Sequence, residues 1–174
     1  KTRKIDLLLS ADLHTNEALR RSILKKLSQV AQKTSENDLL LFYFSGHGDL
    51  VSGEPYLCPS DTESDFVSDT AIPLARVREI IEASRASVKL LILDACHLGA
   101  RLGSKSFDKS KEFSEKTKSI FRGVRGLAML ASSAREETSL ETTEKEHGIF
   151  TYFFLEGLRN YLIVDKNEDA QISV

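Results

Sequence analysis

The chemistry of this chain is concentrated in two short stretches, Ser45-Gly46-His47-Gly48 and Asp94-Ala95-Cys96-His97. Each follows a continuous apolar run, Leu39 to Phe44 or Val88 to Leu93, so each stands where a strand leaves a sheet. An imidazole is the side chain best suited to proton transfer near neutral pH, and flanking glycines let the backbone turn and a substrate come close. A thiol beside an imidazole can become a thiolate, and the same imidazole can later protonate a leaving amine. Cys96 and His47 are therefore read as nucleophile and base. Taken singly, His47 also reads as a packed loop residue and Cys96 as a small buried hydrophobe. Their pairing at the carboxyl ends of neighbouring strands, where open α/β sheets place their ligands, favours chemistry.

Those two strands need neighbours and a cover. Runs at Ile5 to Leu9 and Leu127 to Ala131 have the same unbroken hydrophobicity, the pattern of parallel strands buried on both faces. Helical spacing recurs between the runs. Leu19, Ile23, Leu27 and Val30 follow a Thr15 cap with Glu17 in the first turn, and Leu74, Val77, Ile80 and Ile81 follow Pro73. Ile149, Phe150, Phe153, Phe154, Leu158 and Tyr161 outline a last helix. The alternation predicts an α/β three-layer sandwich, a mostly parallel sheet flanked by helices. Residues 49–69 hold six acids and no Lys or Arg, and Gly53 and Pro55 predict a hairpin or loop excursion there. Residues 101–125 hold eight bases and three acids, which predicts a solvated, mobile basic connection or a short polar helix.

Composition bounds the rest. With 174 residues, 41% apolar and 29% charged, the chain reads as a single globular domain over 1–174. A chain of this length buries about 70% of its unfolded surface and needs neither disulfides nor a structural metal to hold its core. Lys plus Arg (24) nearly cancels Asp plus Glu (26), leaving a net charge of -2, so no nucleic-acid partner is expected. No apolar run approaches the roughly 20 residues of a spanning helix, so no membrane is expected either. Two cysteines, Cys58 and Cys96, are too few for a disulfide framework and fit a reducing, cytoplasmic setting. Lys1 in place of a start methionine is expected of an excised or processed piece.

Ser45-Gly46-His47-Gly48 followed by Asp94-Ala95-Cys96-His97 resembles the histidine and cysteine motifs of caspase-like cysteine peptidases, closest to metacaspases and their prokaryotic homologues. Glu54-Pro55-Tyr56-Leu57-Cys58-Pro59-Ser60-Asp61 resembles the segment after that family's histidine, and Leu130-Ala131-Ser132-Ser133-Ala134-Arg135 the strand beyond its nucleophile. His147-Gly148-Ile149-Phe150-Thr151 resembles the start of its final helix. The resemblance implies peptide hydrolysis through an acyl-enzyme by a dyad of Cys96 and His47. It also implies an oxyanion hole from the Gly48 and Cys96 backbone N–H groups, and a core strand upstream of the region that opens here.

Asp94 lies two residues before Cys96, so at an extended strand end both share one side and could line one pocket. In relatives with Asp at this position the primary pocket accepts Arg or Lys before the cleaved bond, so the resemblance implies protein or peptide substrates cut after a basic residue. Its plainer reading is a turn cap. Asp61, in Pro59-Ser60-Asp61-Thr62, either adds negative potential to that pocket or serves the turn. Ser132 and Ser133 stand where relatives align extended substrates by backbone pairing, or merely finish a strand. Glu136 and Glu137 replace the acid-rich stretch that metacaspases often carry there.

A basic-specific enzyme could cut itself in the connection, at Lys105, Lys109, Lys111, Lys116, Lys118, Arg122 or Arg125. No cofactor is required. The resemblance leaves calcium activation open, but Asp165 to Ile172 is a degraded calcium loop, with Ala170 in place of the turning glycine. A metal at Cys58, Cys96 and His97 is rejected, since no short paired spacing announces it. Two rival classes are an inactive caspase-like interaction domain, against which the intact pair argues, and a nucleotide-binding domain, which lacks any G-x-G-x-x-G or P-loop.

Overall fold

The computed structural model describes residues 18–97, 105–132 and 149–159. The expectations placed on Ile5 to Leu9, Thr15, Ser133 and Asp165 to Ile172 lie outside them. Contacts divide the chain into two compact units, Lys1–Arg135 and Glu136–Val174.

Among the described residues the first unit is built on five strands in the order β3-β2-β1-β4-β5. Its centre is parallel: β1 (Leu39–Val51) pairs with β4 (Val88–His97), and β4 with β5 (Leu127–Ala131). β2 (Glu54–Cys58) returns antiparallel along β1, and the two-residue β3 (Ile72–Pro73) closes that edge. The acidic stretch is thus a hairpin. Ser52 and Gly53 both have positive φ (52° and 78°), as a two-residue turn of the primed type requires, and Val51 faces Glu54 across it.

Successive residues of a strand alternate between faces, which sorts the core. Leu40 and Phe44 of β1 and Leu91, Leu93 and Ala95 of β4 lie on one face, buried in one cluster with three helices. α1 (Arg20–Lys33) contributes Ile23, Leu27 and Ala31, and α3 (Leu74–Glu82) contributes Leu74, Val77, Ile80 and Ile81. The crossovers from β1 to β4 and from β4 to β5 step in the same direction, so right-handed connections bring α3 and α4 (Lys105–Phe121) to the same face. The opposite face carries a smaller cluster, where Cys58 packs with Val67 and Ala71 around α2 (Val67–Thr70). The architecture is a three-layer α/β sandwich, as the alternating pattern predicts.

Three local features depart from expectation. α1 begins at Arg20, and a distant carboxylate caps it: Asp61 Oδ1 accepts the Arg20 N–H at 2.8 Å. Of the two readings of 101–125, a mobile connection or a short polar helix, the described part takes the helix, longer than expected and with a buried face. α4 (Lys105–Phe121) is a 17-residue helix that buries Phe113, Thr117 and Phe121, because these residues recur every four positions beneath the charged ones. Burial on both faces holds for Leu91, Ile92 and Leu93 of β4, whereas Leu39, Leu41 and Tyr43 of β1 are 40–56% exposed.

At the far end of the sheet Lys89 is buried, and its Nζ donates to the carbonyls of Ala86 and Arg125. Its N–H donates to Gly126 O at 2.8 Å. Gly126 has φ 70°, and a methyl group there would lie 2.0 Å from Ser87 O, so no other residue fits. In the second unit, α5 (Ile149–Arg159) is the amphipathic helix its apolar spacing predicts.

Candidate active site

His47 and Cys96 are register partners on the parallel strands β1 and β4. Adjacent strands lie about 4.8 Å apart, and register partners occupy the same face of the pleat. Ser45 faces Asp94 one step earlier in that ladder, so positions 45, 47, 94 and 96 share a face at the carboxyl end of the sheet. His47 is exposed and Asp94 is buried. A cysteine, a histidine and an aspartate thereby come to one strand end from two segments far apart in sequence.

The hairpin also fixes the direction of the backbone donors. In a two-residue hairpin the pair flanking the turn, Val51 and Glu54, exchanges hydrogen bonds, and the exchange recurs at Asp49 with Tyr56 and at His47 with Cys58. Pro55 falls at Leu50, a position of the other kind, where its missing N–H costs nothing. The N–H of Gly48 is consequently turned away from β2 and toward β4. Parallel pairing then aims the backbone groups of Cys96 at β1, between Gly46 and Gly48. Both expected oxyanion donors lie in the β1–β4 seam.

Gly48 is buried against α4. A methyl group at this position would lie 2.8 Å from Phe113 Cζ and 3.1 Å from its Cε2, so only glycine fits under the ring. Phe113 is a site neighbour that the charge-weighted reading of 101–125 misses; the four-residue repeat of Phe113, Thr117 and Phe121 is the signal that could have found it.

The antiparallel side adds a second cysteine, since Cys58 faces His47 from β2. Burial, and then the Asp49 carboxylate, pushes its thiol from an ordinary 9.0 up to about 11. Cys58 is therefore a neutral thiol at physiological pH and a poor nucleophile despite its position. The two-residue turn dictates this facing, so it too was available from the sequence.

The remaining predicted residues are placed as follows. Ser132 continues the sheet, its N–H donating to Leu93 O at 2.9 Å, with a buried Oγ that lines a small cavity beside Phe113. Asp61 is committed to Arg20 at the start of α1, and Ser60 N–H and Oγ donate to Ala18 O beside it. Ser133 is outside the described residues. Among the described residues no group of three or more His, Cys, Asp and Glu could hold a metal ion, and no helix is long and apolar enough to cross a membrane.

Compared with models of known families, residues 9–170 match the caspase domain. The chain belongs to the caspase-domain family. Its caspase domain extends over both compact units and includes both motifs. Among solved structures it is similar to the crystal structure of protein GSU0716 from Geobacter sulfurreducens, with a TM-score of 0.51 and 13% identity. That alignment covers 83% of this chain and 63% of the other, so the caspase-domain chain spans under two thirds of that relative's length. No curated protein matches it in sequence.

Proposed function

We propose that this caspase domain is a cysteine endopeptidase that cleaves after Arg or Lys. The observation that supports it most is the facing of His47 and Cys96 across β1 and β4. His47 takes the Cys96 proton, and the thiolate attacks the scissile carbonyl carbon, forming a C–S bond. The developing oxyanion takes the Gly48 and Cys96 N–H groups in place of their two ladder acceptors, Cys96 O and Gly46 O, as the end of the seam opens. His47 returns its proton to the leaving amine as the C–N bond breaks, then draws a proton from water, which hydrolyses the thioester. Asp94, on the same face, supplies the carboxylate that pairs with a guanidinium or ammonium group.

Self-processing belongs to this reading with a narrower choice of sites. Lys105, Lys109, Lys111, Lys116 and Lys118 lie within α4, and a protease needs an extended strand, not a helix. Arg122 and Arg125 are exposed in the turn that follows α4 and are the better sites. Intact mass of wild type beside Cys96→Ala tests this, with loss of the cut in the variant expected.

A fluorogenic peptide panel varying the residue before the cut, with and without calcium, tests the whole reading. Turnover of Arg and Lys peptides is expected, and Asp94→Asn should lower kcat/KM on them by about 30-fold through loss of the charge-assisted pair. Preference for acidic peptides would refute the specificity. A protein that turns over no peptide, and whose Cys96 resists thiol reagents, would be an interaction domain instead.

A further inference from the structure

We propose that Phe113 is a positioning residue for turnover, holding the Gly48 backbone in the β1–β4 seam, so that α4 must remain whole for the enzyme to work. The inference rests on the peptidase reading and extends it to a segment that composition predicts as a mobile connection or a short polar helix.

The chain leaves β4 just after Cys96 and returns as α4 beneath the histidine strand. There the Phe113 ring meets the Cα of Gly48 with no space for even a methyl group between them. Phe113 is itself buried in the main cluster with Phe121, and Thr117, one turn on, is buried and donates its hydroxyl to the Phe113 carbonyl at 2.7 Å. A ring packed in this way has little room to yield beyond the small cavity beside it. The ring thus blocks movement of Gly48 toward the helices, while the hairpin parity keeps its N–H turned into the seam beside Cys96. A donor that must meet a developing negative charge works only where its position is fixed beforehand. Cutting inside α4 would release the ring, and is expected to end activity instead of starting it.

The test pairs Phe113→Met, which keeps the core filled but replaces a rigid ring with a flexible chain, with Gly48→Ala and the double variant. Phe113→Met should lower kcat about tenfold, as loss of donor placement does, with KM within about twofold. Its Cys96 should react with iodoacetamide at the wild-type rate, because displacement at a saturated carbon develops no oxyanion. Gly48→Ala should lose about 100-fold or more in kcat, and adding Phe113→Met should recover about tenfold of that loss by making room for the methyl group. Unchanged kcat in a folded Phe113→Met, or a double variant no better than Gly48→Ala, overturns the proposal. Wild-type kcat in Gly48→Ala overturns it however the Phe113 variants fold. A wild type that is alkylated yet turns over no peptide refutes the peptidase reading instead, and this inference with it.

Discussion

His47 has a cysteine at its own level on each side, Cys58 across the antiparallel seam and Cys96 across the parallel one. The residue types and strand offsets are the same, and the proposed peptidase reading gives the two thiols different work. Cys58 is buried with Val67 and Ala71 around α2, next to Asp49, and both burial and the carboxylate favour the uncharged thiol. Cys96 lies one residue before the end of β4, at the register position of His47 and on the face of positions 45, 47 and 94. Proximity to an imidazole does not make a thiol a nucleophile; the surroundings of the sulfur decide.

The hardest test of this contrast is turnover. Cys96→Ala should reduce kcat by about a thousandfold or more, while Cys58→Ala should leave kcat/KM within about threefold; comparable losses in both variants would erase the distinction. Labelling comes next. At pH 7.5 iodoacetamide should modify Cys96 at least about 100-fold faster than Cys58, whose burial keeps its thiol protonated, as peptide mapping over time would show.

The smallest effect is on stability. A thiol whose folded value is raised contributes stability that is fully present below its ordinary 9.0 and is lost as pH rises through about 11. The melting temperature should therefore fall by about 3 °C more between pH 9 and 11 in wild type than in Cys58→Ala. Parallel slopes in the two proteins would show that burial does not hold the Cys58 proton.

What the sequence disclosed follows the strength of each local signal. Apolar runs of strand length and the Ser52-Gly53 turn are dense signals, and from them the core strands and even the facing of residues 47 and 58 across the hairpin can be worked out. The meeting of His47 with Cys96 was legible only through strand ends and a family resemblance, because nothing local encodes a register between β1 and β4. α4 was hidden by its own surface: its lysines and glutamates dominate the composition, while burial depends on three residues four apart. Asp61 illustrates the opposite limit. Its turn-forming neighbours are visible, but the N–H it accepts belongs to Arg20, and no window on the chain spans both.

Lys89 carries a consequence for the opposite end of the sheet. One ammonium group binds the carbonyls of Ala86 and Arg125, the loops that feed β4 and β5, and it is shielded from solvent. An acetylating reagent that modifies the surface lysines would reach this amine only when those loops separate. Acetylation would then remove its charge, so strands opened in this way could not be laced together again as before.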